Sequence, residues 1–288
     1  MSKRFKWLLA FVLLVLLGCA GFVAYSLHIG QLNRELIVAV EQENLGRVQL
    51  LLDAGASPNA SRNMVAGSTD WFTDLKIRFG LIHADQSVLV AAINNQNWPI
   101  AELIAERGGL PDSAHAVDIL QSAAYLGQLR LVTLLLDHGM SVDASDKYGH
   151  TALVRAVSSK EVAVAEFLLD RGANINVLTG ALLNVRYLSS RDTPIAYLGS
   201  GFMPDREPAM IRLLVERGLP VDSRLQNGRT FLIAAAMANE PELVTFLLAH
   251  QADVNAKDED GYTALHHAQI RGSTAAANLL RHAGAKDK

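Results

Sequence analysis

The sequence predicts an all-α protein: helix pairs repeated in tandem and stacked into a solenoid, behind one apolar N-terminal helix. Three observations predict it. An uncharged run of 23 residues, Trp7 to Ile29, follows Lys3, Arg4 and Lys6. A phrase of two apolar residues, two others and then usually Gly returns with marks at Gly55, Gly108, Gly139, Gly172, Gly218, Gln251 and Ala283. A second phrase, opening on Thr or another polar residue, stands 21 residues ahead of most of those marks. Self-similarity at such a period points to units that bury their apolar faces only by stacking on one another.

Composition removes several classes. The 288 residues are 50% hydrophobic and 19% charged, too apolar for a disordered chain. Lys plus Arg number 26 and Asp plus Glu 29, a net charge of −3, so no basic excess points to nucleic acid. A single Cys excludes an internal disulfide framework and cysteine-rich metal sites.

The N-terminal run comes first in chain order. Its 23 residues would span roughly 34 Å as a helix, enough for a hydrocarbon core of about 30 Å. The preceding cations predict residues 1–6 in the cytoplasm, 7–29 as a single-pass transmembrane anchor or signal sequence, and 30–288 carried across the cytoplasmic membrane. Two other readings stay open. Lys3 to Lys6 and Trp7 to Leu17 also fit the n- and h-regions of a cleaved signal peptide. Leu16-Leu17-Gly18-Cys19 resembles a lipoprotein lipobox, which implies acylation at Cys19, although the chain stays apolar past the Cys. The part beyond Ile29 carries a net charge of −6, against binding to anionic lipid.

The marks are spaced by 53, 31, 33, 46, 33 and 32 residues. The two long steps read as insertions into a period near 33, placed near residues 61–84, 178–192 and 199–204. Four residues past each mark stands Asn59, Asp112, Asp143, Asn176, Asp222, Asn255 or Asp287. Such Asx side chains can hold the turn that leaves the repeat. The second phrase is clearest in Thr151-Ala-Leu-Val-Arg-Ala156, Thr230-Phe-Leu-Ile-Ala-Ala235 and Thr263-Ala-Leu-His-His-Ala268. Weaker copies open at Ser87 and Asp118. The Thr hydroxyl suits a helix N-cap, and Ala156, Ala235 and Ala268 allow close stacking.

Lys257 to Ala268 and Asp146 to Leu153 resemble the ankyrin repeat, with its Gly-x-Thr-Pro-Leu-His-x-Ala-Ala signature, Leu-Leu second helix and Gly-Ala-Asp-x-Asn turn. The resemblance runs from Asn33 to the C-terminus and implies a solenoid of about seven repeats. It also implies that partner contacts come from hairpin tips and the inner helices.

No catalytic motif is present: neither Gly-x-Ser-x-Gly, nor a phosphate loop, nor His-Glu-x-x-His. The sequence predicts no enzyme, no cofactor and no metal. His266 and His267 are adjacent, so a helix turns them about 100° apart and away from a common ion. The resemblance implies that His266 braces neighbouring backbone by hydrogen bonds. Candidate partner-binding residues are Tyr148, His150, Arg229 and Tyr262 at the hairpins, Tyr187 in the second insertion, and Trp71 and Phe72 in the first. Leu75, Ile77, Phe79 and Leu81 alternate as a strand or edge hairpin would. Trp71 and Phe72 could instead fold down over the first two repeats. The function expected is protein–protein interaction in a bacterial periplasm, with an unidentified protein partner. Either a scaffold that holds or protects that partner, or an immunity-type inhibitor of a toxin or enzyme, fits this reading.

Overall fold

The computed structural model describes residues 3–61, 87–110, 113–180 and 208–286, with the side chains of the first helix described from Gly21 onward. The insertions expected near 61–84, 178–192 and 199–204 lie outside these residues, except for Ser61 and residues 178–180. The described chain is helical throughout. Its helices are α1 (Lys3–Glu41), α2 (Leu45–Asp53), α3 (Val88–Asn94), α4 (Trp98–Glu106), α5 (Ser113–Tyr125), α6 (Leu129–Asp137), α7 (Ala152–Ser159), α8 (Val162–Asp170), α9 (Val177–Gly180), α10 (Pro208–Glu216), α11 (Phe231–Ala238), α12 (Pro241–Ala249), α13 (Ala264–Arg271) and α14 (Thr274–His282). Among the described residues there is no strand, only two isolated antiparallel bridges, Ser61 with Ser87 and Lys257 with Thr263.

The phrases read from the sequence build these helices. Ser87, Thr151, Thr230 and Thr263 each stand at an N-cap in extended conformation, and each hydroxyl accepts the N–H three residues on at 3.3–3.4 Å. That bond satisfies one of the four orphan amides at a helix start. The inner helices α7, α11 and α13 stop at Lys160, Asn239 and Gly272, all left-handed. The outer helices end two residues before the recurring mark, which is left-handed at Gly55, Gly108, Gly139, Gly172, Gly218 and Gln251. In the last copy the left-handed residue is Gly284 (φ 87°), one place beyond the Ala283 expected from sequence. The amide after it returns to Leu280, as the amide of Ala252 returns to Leu247. Backbone geometry therefore restores the 33-residue step from Gln251 that the apolar pair alone had shortened.

Gln251 is the one mark without glycine, and it holds φ at 64°. A β-carbon in that region is strained by about 1 kcal/mol or more, partly offset by the greater unfolded-state entropy of glycine. Gln251→Gly is expected to stabilise the chain by about 0.5–1 kcal/mol in chemical denaturation, whereas Gly172→Gln should destabilise it.

The contacts divide the chain into two units, each with its own interior. The first holds residues 1–119 and 133–140. There α1 packs on α2 and α3, and α4 packs on both α2 and α3. Leu36, Ala39, Val48, Leu89, Ile100 and Ile104 are fully buried in it. The second unit holds residues 120–132 and 141–288. There α8 packs on α7 and α10, α12 on α10 and α11, and α13 on α11. Phe231 through Ala236 are all buried, which explains why α11 is apolar on every side: it is sandwiched, not laid on a surface.

The N-terminal helix corrects an expectation. α1 continues without a break from Lys3 to Glu41, through the boundary expected near residue 30. Among the residues whose side chains are described, no helix is long and apolar enough to cross a membrane. The described part of α1 carries Arg34, Glu35 and Glu41, and it buries Leu32, Leu36, Ile37, Ala39 and Val40 against protein. Its apolar surface from Leu32 on is used by the repeat core. The transmembrane helix, the inner-membrane localisation with a periplasmic repeat domain, and the lipoprotein alternative are corrected accordingly. The side chains of Trp7 to Ala20, Cys19 among them, lie outside the described residues.

Candidate functional site

Three loops ahead of inner helices, at residues 146–150, 225–229 and 258–262, share one backbone pattern. In each, the first residue donates its amide to the carbonyl of the fifth, at 3.1, 2.6 and 3.0 Å, and its carbonyl accepts from the glycine amide three places on. Gly149, Gly228 and Gly261 all take positive φ, at 80°, 68° and 79°, as a reversal this tight requires.

In two of the three loops the first residue is Asp, and its carboxylate organises the tip. Asp146 Oδ1 accepts the amides of Tyr148 (2.8 Å) and His150 (3.0 Å), while Oδ2 lies 3.0 Å from His150 Nδ1 and 3.6 Å from Arg155. Asp258 Oδ1 accepts the amides of Asp260 (3.1 Å) and Tyr262 (2.8 Å), and Oδ2 lies 2.7 Å from His267 Nε2. Burial pushes both carboxyls up, but hydrogen bonds from these amides and from the histidines outweigh it. Each Asp ionises below the usual carboxylate value.

The candidate residues fare differently. Tyr148 is 59% exposed at its tip, with Lys147 Nζ 4.9 Å from the ring centroid. His150 is half-buried and committed to the fold: its ring faces Asp146, and its carbonyl accepts from Gln121 Nε2 at 2.7 Å. Arg155 Nε in turn donates to Gln121 Oε1 at 3.2 Å. Tyr262 is half-buried and stacks on His266, centroids 4.3 Å apart and planes 11° off parallel. Arg229 is half-buried, and its Nε has no hydrogen-bond partner among the described residues. Trp71, Phe72 and Tyr187 lie outside the described residues, as do Leu75 to Leu81.

The bracing role falls on the neighbour of the histidine for which it was expected. His267 holds the hairpin through Asp258, whereas the His266 ring makes only aromatic contacts among the described residues, with Tyr262 and His267. Gln121, at the same place in α5 as His266 in α13, shows why: it reaches forward to the hairpin of the following repeat. No hairpin follows α13 among the described residues. No group of three His, Cys, Asp or Glu side chains there is arranged to hold a metal ion.

The Asx column also acts across repeats, which the sequence did not suggest. Asn59 Oδ1 accepts the amide of Leu110, Asp143 that of Asn174, Asp222 that of Asp253, and Asn255 that of Lys286, at 2.9–3.0 Å. Each bond links one outgoing turn to the corresponding turn of the next repeat in the same unit. Asp112 and Asp287 lie outside the described residues. Arginines add a second series of links between outer helices: Arg107 with Asp53 and Arg217 with Asp170, both at 2.6 Å.

Known proteins with the same features match at the level of the repeat. A family model described as ankyrin repeats (3 copies) matches residues 88–179 and 205–288, more than half of the chain. Among curated proteins, the B-cell lymphoma 3 protein homolog of Mus musculus is 31% identical over 156 residues, covering 54% of this chain and 33% of that protein. The ankyrin repeat, SAM and basic leucine zipper domain-containing protein 1 of Dasypus novemcinctus is 32% identical over 146 residues, 50% of this chain and 29% of its own. Neurogenic locus notch homolog protein 2 of Homo sapiens is 31% identical over 185 residues, 64% of this chain but 7% of its own. The chain thus spans a third or less of these relatives. All three are vertebrate proteins, and none supports the bacterial setting expected from the N-terminus. The capped inner helices, glycine-closed outer helices, β-turn tips and Asx links agree with the family match, and the chain belongs to the ankyrin-repeat family.

Proposed function

We propose that the chain is a non-catalytic interaction module that engages a partner protein along its hairpin tips, as a scaffold or protector of that partner. Tyr148 is the observation that carries this reading. Its ring is exposed, while its backbone is pinned by Asp146, so presenting the ring costs little further ordering. Exposed Tyr and Arg are the residue types that dominate interface energetics. Arg229 and Tyr262 occupy the same hairpin position as His150 and extend the surface; Trp71, Phe72 and Tyr187 contribute from the insertions. The layout proposed is about seven repeats from near residue 30, with extra residues near 61–84, 178–192 and 199–204. The described outer helices α2, α4, α6, α8, α10, α12 and α14 support that repeat number. A second reading, an immunity-type inhibitor of a toxin or enzyme, is favoured by the net charge of −6 past Ile29, which suits a basic target.

Full-length protein used as bait, with captured proteins identified by mass spectrometry, supplies the partner. Affinity and melting are then measured on the same variants. Tyr148→Ala and Trp71→Ala are each expected to weaken binding by about 2 kcal/mol, roughly 30-fold in Kd, without a matching loss of stability. Unchanged affinity in both would remove the hairpin tips from the interface.

A further inference from the structure

The loop at 225–229 departs from its two counterparts in two respects. Asn227 holds φ at 60°, whereas the third residues of the other loops, Tyr148 and Asp260, do not take positive φ. Where they carry Asp146 and Asp258, it carries Leu225, buried at 5% exposure. The backbone keeps both closing bonds, Leu225 N–H to the Arg229 carbonyl and Gly228 N–H to the Leu225 carbonyl. In the other two loops a carboxylate takes the third and fifth amides and faces a histidine ring, His150 with Arg155 beside it in one and His267 in the other. Among the described residues no carboxylate receives the amides of Asn227 and Arg229, and a cation faces the turn. Arg229 stands at the place of His150, and its buried Nε has no partner among the described residues. Arg224 reinforces the positive tip. Its Nη1 donates to the carbonyl of Gly228 at 2.6 Å and to that of Lys257 in the next repeat, which holds the guanidinium against the turn.

We propose that this tip binds an acidic side chain of a partner protein: a Glu or Asp carboxylate supplied in trans takes the role that Asp146 and Asp258 fill in the neighbouring loops. The inference deepens the interaction reading above and rests on it. A carboxylate is the chemistry indicated because the two homologous loops both place one against the fifth amide and beside a nitrogen-bearing side chain. A guanidinium and a neighbouring backbone amide form a paired donor set for carboxylate oxygens. The contrast with the following loop gives direction as well. Asp258, Glu259 and Asp260 make that tip acidic, and Glu259 N–H donates to the Asn227 carbonyl at 3.0 Å, so the two tips form a positive-to-negative step along one edge. A partner segment with an acidic residue followed by a basic one fits that step.

The test titrates full-length protein with a fluorescein-labelled hexaglutamate peptide at low ionic strength. Saturable binding is expected, weakening with added salt. Arg229→Gln should reduce affinity about fivefold or more, the upper range for an exposed charge pair. Leu225→Asp should do the same by supplying the carboxylate from within the chain, while Lys147→Ala, at another tip, should leave affinity unchanged. Amide and side-chain NMR of the unmutated protein guards against a variant that fails to fold. The Arg229 Nε–Hε signal and the Asn227 amide should shift and saturate with the peptide. Shifts confined to residues 146–155, no binding at low salt, or unchanged affinity in folded Arg229→Gln would overturn the proposal. A partner whose capture depends on Tyr148 would still uphold the broader interaction reading in that case.

Discussion

Phe231→Ala is expected to cost about 3–5 kcal/mol of unfolding free energy. Phe231 is among the largest fully buried side chains, and it opens α11, the inner helix held between α12 and α13. Removing its ring leaves a cavity that flanking helices cannot close without disturbing their own stacking. Leu153→Ala, also fully buried, should cost about 2–5 kcal/mol. Tyr148→Ala should stay within about 0.5 kcal/mol, because that ring faces solvent. Urea unfolding followed by circular dichroism ranks the three. In a stacked array the destabilised repeat weakens its neighbours too, so the Phe231 variant should unfold with a broadened transition. A cost near that of Tyr148→Ala would mean that α11 is not the sandwiched element described.

The second large effect is expected at Asp258. Its side chain is fully inaccessible and accepts from two amides and His267. Asp258→Ala leaves those donors without their acceptor and should cost about 3 kcal/mol. Asp258→Asn keeps one acceptor oxygen and should cost less. The pH dependence follows from the same bonds. Asp146 and Asp258 ionise below 3.8 in the folded chain, so the unfolded state binds more protons in that range. The stability they contribute is fully present above that value and is lost as pH falls through their folded values. Melting temperatures measured from pH 6 to pH 2.5 should fall on the acid side, and less steeply in Asp258→Asn than in the native chain. An acid limb identical in the two proteins would show that the Asp258 bonds do not form in solution.

Much of the repeat was legible because its chemistry is local. Thr151, Thr230 and Thr263 cap helices through a bond that spans three residues, so type and spacing suffice to find them. Glycine at Gly55, Gly139 and Gly172 marks helix ends because few other residues accept positive φ. Tyr148 was identified as a tip residue on the same footing. The last mark shows where local reading slipped: an apolar pair points to Ala283, but it is the left-handed residue that ends the repeat, and that residue is Gly284.

Other roles depend on what the next repeat places nearby, and a single-repeat pattern cannot reveal them. Asn59, Asp143, Asp222 and Asn255 looked like turn formers, yet their oxygens tie each turn to the following one. Gln121 carried no signal at all, although it holds the His150 carbonyl and receives Arg155. His150 stood as a contact residue until the fold committed its ring to Asp146. The N-terminal run pointed to a membrane because it lacks charge; from Leu32 on α1 buries its apolar side against protein, while Phe22, Val23, Tyr25 and Leu27 are exposed.

By itself, then, the sequence determined the period, the helix starts and stops and the turn positions, since each rests on the conformational preference of one residue or a bond within a few. Only the tertiary structure decided which polar side chains are spent on holding repeats together and which remain for a partner. The physical reason is reach: a carboxylate or amide chooses among all donors within about 3 Å, and stacking brings those donors from 30 or more residues away. The absent carboxylate at Leu225 shows both sides of this. The substitution is plain in the sequence, but its meaning appears only when three hairpins are compared and Arg229 is found with its Nε unpaired among the described residues.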